Sequence, residues 1–252
     1  MDRNEAMLRE LNLYPQWVRR NAPAPVAAEQ PVPVTTVFEA IGPAEIDVST
    51  SLSPSPSPAS GRGELSWPEL KQQVRDCSAC KLRAGCTQTV FGVGDENAEW
   101  LFVGEGPGAD EDAQGEPFVG QAGKLLDNML LAIKLKRGEN VYIANIVKCR
   151  PPGNRTPEAG EIATCLPYLQ RQIELIKPKL IIALGKTAAT ALLGRDATLG
   201  SLRGTLHDYR GIPLLVTYHP AYLLRSPMEK AKAWQDLCLA VNQMGSQGYN
   251  PG

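Results

Sequence analysis

"LIIALGKTAATALLG", residues 180–194, opens with an unbroken apolar run and passes directly into a helical pattern. A strand buried on both faces has no polar alternation, and such strands belong to parallel sheets covered by helices. Three more short, β-rich runs follow the same rule: "WLFVG" (100–104), "VYIANIV" (141–147) and "PLLVTY" (213–218). Between and after them lie helical stretches at 122–135, 156–177 and 230–244. The stretch at 156 opens as Thr-Pro-Glu, a helix-start signal. The alternation predicts an α/β fold: a single three-layer α/β/α domain around a central, mostly parallel four-stranded sheet. Ligands of such sheets bind at the carboxyl ends of the strands, so loops 104–120, 148–156 and 219–227 are the candidate site.

Upstream the composition changes. "SWPELKQQVRDC" (66–77) has a Ser N-cap and a first-turn Pro, and begins the compact region, 67–252. Residues 21–66 are rich in Pro, Ser and Ala, cannot bury a core, and read as a flexible, disordered linker. Residues 1–20 have the pattern of a short amphipathic helix, either a frayed tail or a protein-docking peptide. Residues 1–66 carry 5 Lys+Arg against 8 Asp+Glu, a net of −3, and the remainder 21 against 19, a net of +2. That excess permits nucleic-acid binding without arguing for it. No apolar run reaches the ~18 residues that span a bilayer, and the first residues hold no apolar signal core, so no membrane role and a cytoplasmic location are expected.

Six cysteines in a cytosolic chain point to metal or redox chemistry. Cys77 and Cys80 form a C-x-x-C at a helix end, Cys149 follows a strand, and Cys165 lies within a helix. By spacing alone, a four-cysteine metal site and a lone C-x-x-C with two buried thiols stand even, and zinc is not separated from iron–sulfur. Cys86 and Cys238 fall outside that set.

"GEGPGADEDAQGEPFVGQAG" (104–123) holds six glycines and five acids after the first strand. It is no phosphate cradle, because a Pro without N–H stands mid-loop and neither G-K-[ST] nor G-x-G-x-x-G spacing is present. It lacks the order of a calcium loop as well. Alone, it reads as a solvated acidic loop with Phe118 as a core plug, or as a pocket floor where backbone meets a flat ligand.

Taken in order, "CSACKL", the long "VFGVGDENAEWLFVGEGPGADEDAQGEPFVGQAGKLLDNML" segment, "VYIANIVKCRPPGNRTP", Cys165, "LIIALG" and "VTYHPAYLLR" closely resemble the family 4 (thermostable-type, iron–sulfur) uracil-DNA glycosylases, from about Cys77 to the last helix. The resemblance implies base-excision repair: uracil is flipped out of DNA and its N-glycosidic bond hydrolysed. It implies a structural 4Fe-4S cluster on Cys77, Cys80, Cys149 and Cys165, uracil-containing DNA as partner, and action as a monomer. Asn145 matches the residue whose amide accepts from uracil N3–H and donates to O4, the reverse of what cytosine offers. Phe118 would stack on the flipped ring, with Gly104 and Gly106 letting backbone approach it. His219, one of two histidines, would donate to uracil O2 as charge builds there, whereas His207 lies in a polar turn. Gly106 stands where better-known uracil glycosylases place a water-activating Asp, so Glu105 and Glu111 are candidates for that role and Asp112 a weaker one. Gly108 replaces the Tyr that blocks the thymine methyl there. Leu223 and Leu224 offer a wedge for the vacated stack, and Lys148, Arg150, Arg155 and Arg225 contacts to phosphate. Two other readings stay open: a glycosylase for another deaminated base such as hypoxanthine or xanthine, and a non-catalytic iron–sulfur DNA-binding module.

Overall fold

A computed structural model describes residues 65–246; the expected helix at 1–20 and nearly all of the 21–66 linker lie outside the described residues. Four strands form the parallel centre of the sheet: β2 (Trp100–Gly104), β3 (Val141–Asn145), β4 (Leu180–Leu184) and β6 (Ile212–Thr217). Two edge strands, β1 (Val93–Gly94) and β5 (Leu206–Tyr209), pair antiparallel with β3 and β6, giving the order β1-β3-β2-β4-β6-β5. The sheet therefore has six strands, not four. The region around His207 is not a free turn either. It is the outer arm of a hairpin whose two-residue loop, Arg210 (φ 52°) and Gly211 (φ 85°), has the positive φ pair that matches strand twist.

Side chains leave each central strand alternately. Leu101, Val103, Tyr142, Ala144, Ile181 and Ala183 face one core, covered by α1 (Trp67–Arg75), α5 (Ala159–Ile176) and α6 (Lys186–Leu193). Trp100, Phe102, Val141, Ile143, Leu180 and Ile182 face the other, covered by α4 (Gln121–Ala132) and α9 (Lys230–Ser246). Both faces are buried, which is why the runs show no polar alternation. Trp67 fixes α1 by edge-to-face contacts with Phe91 (5.3 Å) and Tyr142 (5.4 Å), and so fixes the segment that leads to Cys77.

Three short helices complete the chain: α2 (Leu82–Gly85), α3 (Ala109–Gln114) and α7 (Leu199–Leu202); α8 (Pro220–Arg225) follows β6. The acidic stretch of 104–123 thus contains a helix rather than a plain loop. The helix expected from Thr156 begins at Ala159, because Glu161 reaches back to accept the Glu158 N–H (2.8 Å) and closes a capping box there. The chain leaves β2 for β3 on one side and reaches β4 on the other. The crevice at such a reversal opens at the carboxyl ends of the strands, beside Gly104, Asn145, Gly185 and His219.

Candidate active site

A cleft of about 530 Å³ occupies that crevice. Glu105, Gly106, Glu111, Phe118, Asn145, Arg155, His219 and Arg225, all expected from the sequence, line it. Asn145 ends β3 and is 2% exposed, and its Oδ1 has no hydrogen-bond partner among the described residues. An unpaired buried amide oxygen costs ~1–3 kcal/mol, so it marks a place where a ligand donor belongs. Gly104 makes the approach possible: a Cβ there would strike Asn145 Oδ1 and lie 2.6 Å from the Phe118 ring.

Phe118 is buried, with a backbone φ of 57°, uncommon for a bulky residue. Arg137 holds this turn by donating to the carbonyls of Pro117 (2.8 Å) and Phe118 (2.8 Å) while its Nε binds Asp127 (2.9 Å). The Phe118 ring lies 5.4 Å from the His219 ring, tilted by 31°. His219 caps α8: its Nδ1 accepts the Ala221 N–H (3.2 Å), which leaves the ring proton on Nε2. Burial, then Arg225, push its pKa down to about 4, against a smaller opposing effect of Glu111. It is a neutral hydrogen-bond donor at pH 7.

The acids of the loop divide sharply. Glu105 accepts the Thr187 hydroxyl (2.5 Å) at the cleft wall. Glu111 binds three backbone amides: Gly108 N–H to Oε2 (3.0 Å), and those of Val119 (3.0 Å) and Gly120 (3.1 Å) to Oε1. Asp112 points the other way, 5% exposed, and accepts the amides of Thr87 (2.9 Å) and Gln88 (3.3 Å). The weaker expectation of Asp112 as a holder of the water is therefore corrected: it ties the loop to the segment after Cys86.

Other expected contacts separate too. Leu223 is 1% exposed in the core under α4 and α9, so it is no wedge, whereas Leu224 is 44% exposed. Lys148 is 2% exposed and donates to the Asn145 carbonyl (3.0 Å) and Gln172 Oε1 (2.6 Å), so it is not a phosphate contact; burial lowers its pKa to about 8. Arg155 makes a two-pronged bond to buried Glu161 (2.9 and 2.7 Å), and that pairing holds the Glu161 carboxyl at about 2. Arg150 binds Asn154 (2.8 Å), and Arg225 is exposed at the cleft. Thr187 and Arg137 were not anticipated. Thr187 had a signal, its place in the first turn of the helix that leaves the carboxyl end of β4; Arg137 had none.

Cys77, Cys80, Cys149 and Cys165 line one small second cavity, and all are free thiols. Burial raises the Cys149 thiol well above its usual range, helped by Cys86, Cys165 and Cys80. Burial likewise takes Cys165 to about 11, opposed by Lys148, whose N–H donates to its Sγ (3.2 Å). Cys86, left out of the set, thus lies against Cys149. Among the described residues no three His, Cys, Asp or Glu side chains are drawn together as a single-ion site. No helix among them is long and apolar enough to cross a membrane.

The model of the uracil DNA glycosylase superfamily matches residues 91–238. The type-4 uracil-DNA glycosylase of Pyrobaculum aerophilum is 42% identical over 179 residues, 68% of this chain and 91% of that protein. That of Thermotoga maritima is 45% identical over 159 residues, 62% of this chain and 82% of its own. A type-5 uracil-DNA glycosylase of Thermus thermophilus is 32% identical over 154 residues, covering 52% and 68%.

Proposed function

The chain belongs to the uracil-DNA glycosylase superfamily and, within it, to the type-4 enzymes, and from that premise we propose how its cleft works. It is a hydrolase of DNA repair that excises uracil and leaves an abasic site. The catalytic unit is residues 67–252, and its partner is uracil-containing DNA. The unpartnered Oδ1 of Asn145 carries the reading: the residue lines a cleft sized for a base, and its buried amide oxygen lacks a donor. Uracil N3–H supplies that donor. Cytosine presents a bare ring nitrogen there and would leave the oxygen unpaired.

Phe118 stacks on the flipped ring and sets its plane. His219 donates from Nε2 to uracil O2. Because the imidazole is neutral, the bond strengthens as negative charge grows on the leaving base, and it does not lock the ground state. Glu105, held by Thr187, orients the attacking water and offsets the positive charge on the sugar. Glu111 shapes the floor, and Gly106 and Gly108 bring it close to the base. Arg155 and Arg225 line the opening toward phosphate, Arg150 reaches it from the adjoining loop where it binds Asn154, and Leu224 enters the vacated stack.

Cys77, Cys80, Cys149 and Cys165 would hold a 4Fe-4S cluster, which supplies a cross-link between the end of α1, the end of β3 and α5. Cys149 and Cys165 are buried thiols that burial makes hard to ionise, and a cationic centre shared with the partly buried Cys77 and Cys80 would stabilise them as thiolates. The test of the base-recognition reading is an excision assay on DNA carrying uracil, hypoxanthine, xanthine or thymine. Wild type should act on uracil first, and Asn145→Asp should lower that rate at least ~100-fold. An unchanged rate in the variant removes Asn145 from the pocket.

A further inference from the structure

Tyr222 has no part in the chemistry above, yet it is built into the cleft wall. It is 39% exposed, and one face of its ring stacks on Tyr218, with centroids 5.2 Å apart and planes 16° apart. Tyr218 is backed in turn by the Arg203 guanidinium, 4.3 Å from its ring centre. Arg203 is fixed to the Lys232 carbonyl (2.7 Å) and to Asp236 (2.8 Å), which is 2% exposed and also accepts the Thr217 hydroxyl (2.7 Å). A surface tyrosine would be free to turn. This one is the outer plane of three stacked groups rooted in the core.

We propose that Tyr222 is a second nucleobase subsite: its open face stacks on the base next to the flipped uracil in the same strand. This rests on the uracil-excision reading. When a nucleotide leaves the stack, its neighbour loses a partner and exposes a flat face at the cleft mouth. An aromatic ring already held in place replaces that partner at little entropic cost. The contact does not need the opposite strand, so it favours uracil in single-stranded DNA as well as in a duplex. Base–aromatic stacking is sequence-tolerant, which suits an enzyme that must accept any neighbour.

The experiment is a cycle between protein and DNA. Single-stranded oligonucleotides carry one uracil, with the 5′ or the 3′ neighbouring base present or replaced by an abasic analogue. For wild type, loss of one of the two neighbours should raise KM by roughly 5- to 150-fold, with kcat little changed. Tyr222→Ala should show that raised KM on the intact strand and lose nothing further when the base is removed. Tyr222→Phe should behave as wild type, and Tyr222→Leu as Ala, which separates stacking from the hydroxyl and from folding. If removal of either neighbour affects wild type and Tyr222→Ala equally, the subsite is overturned. Direct binding separates this from the activity itself. With 2-aminopurine beside the uracil, fluorescence should be quenched by wild type and Tyr222→Phe, and not by Tyr222→Ala. Quenching without excision would count against the glycosylase reading alone. Excision with equal quenching by all variants would sink the subsite alone.

Discussion

Glu105 and Glu111 are the same residue type, six positions apart, one before α3 and one within it, and their hydrogen bonds give them opposite work. A carboxylate that accepts three backbone amides holds the shape of a turn. One that takes a single hydroxyl at a cleft wall is free to orient water. The two should separate in a paired measurement. Glu111→Ala leaves amides of Gly108, Val119 and Gly120 unpaired, at a cost of roughly 2–3 kcal/mol after partial hydration, which lowers Tm by about 5–10 °C for a domain of this size. Glu105→Gln should leave Tm within about 2 °C and reduce single-turnover excision ~100-fold or more. Equal Tm losses would mean that Glu105 is structural too. Gly104→Ala offers a third contrast. Its backbone tolerates a side chain, but the added methyl meets Asn145 and the Phe118 ring. Excision should drop at least tenfold while the fold persists, read by kcat/KM beside a circular dichroism spectrum.

The four central strands were legible because each is buried on both faces, and an apolar run of five or six residues records that directly. The edges were not: Val93–Gly94 is two residues long, and Leu206–Tyr209 is mostly solvated, so neither carries a burial pattern. The acidic α3 hid for a similar reason, since its start is set by Glu111 folding back on Gly108 rather than by any apolar stripe. At the turn from β6 into α8, the element's own geometry makes a pH prediction. His219 caps the helix while buried, and its folded pKa of about 4 lies below the ordinary 6.5. Between those values the unfolded chain binds a proton that the folded chain refuses, so stability falls as pH falls through that window, by as much as ~3 kcal/mol. Glu161, held at about 2 by Arg155, loses its contribution only below the ordinary 4.5. Burial raises the pKa of the Asp236 carboxyl, which acts in the opposite direction on acidification. Urea midpoints from pH 6.5 to 4.5 therefore read His219 through the difference between wild type and a His219 variant that shares Asp236. Wild type should weaken steadily on acidification, and His219→Asn, which keeps a capping side chain, should weaken less. Parallel slopes would show that the ring is not protected from protonation.

Across the whole molecule, two cavities are joined by short polar ties. Asp112 binds the glycine-acid loop to Thr87 and Gln88, next to Cys86; Glu161, one turn before Cys165 in α5, holds Arg155 at the cleft; Lys148, between Asn145 and Cys149, touches the Asn145 carbonyl and, through its N–H, the Cys165 sulfur. None of this was visible in the sequence. Spacing marked the cysteines and the loop as separate features, and only the fold brings α1, β3 and α5 to one cavity behind the cleft. The arrangement makes the cysteine cavity a brace for Asn145 and the loop, with no thiol lining the cleft itself. Cys165→Ser should therefore act at a distance. The purified variant should lose its brown colour and most of its iron, its Tm should fall by several degrees, and excision should fall although no cleft residue has changed. Asp112→Ala supplies the control for the ties. It should retain iron, because it touches no cysteine, but loosen the loop and raise KM for uracil-containing DNA. If Cys165→Ser is colourless yet keeps wild-type Tm and KM, the cavity holds a cofactor without bracing the cleft. If wild type itself carries no iron, the four thiols are not a cluster site.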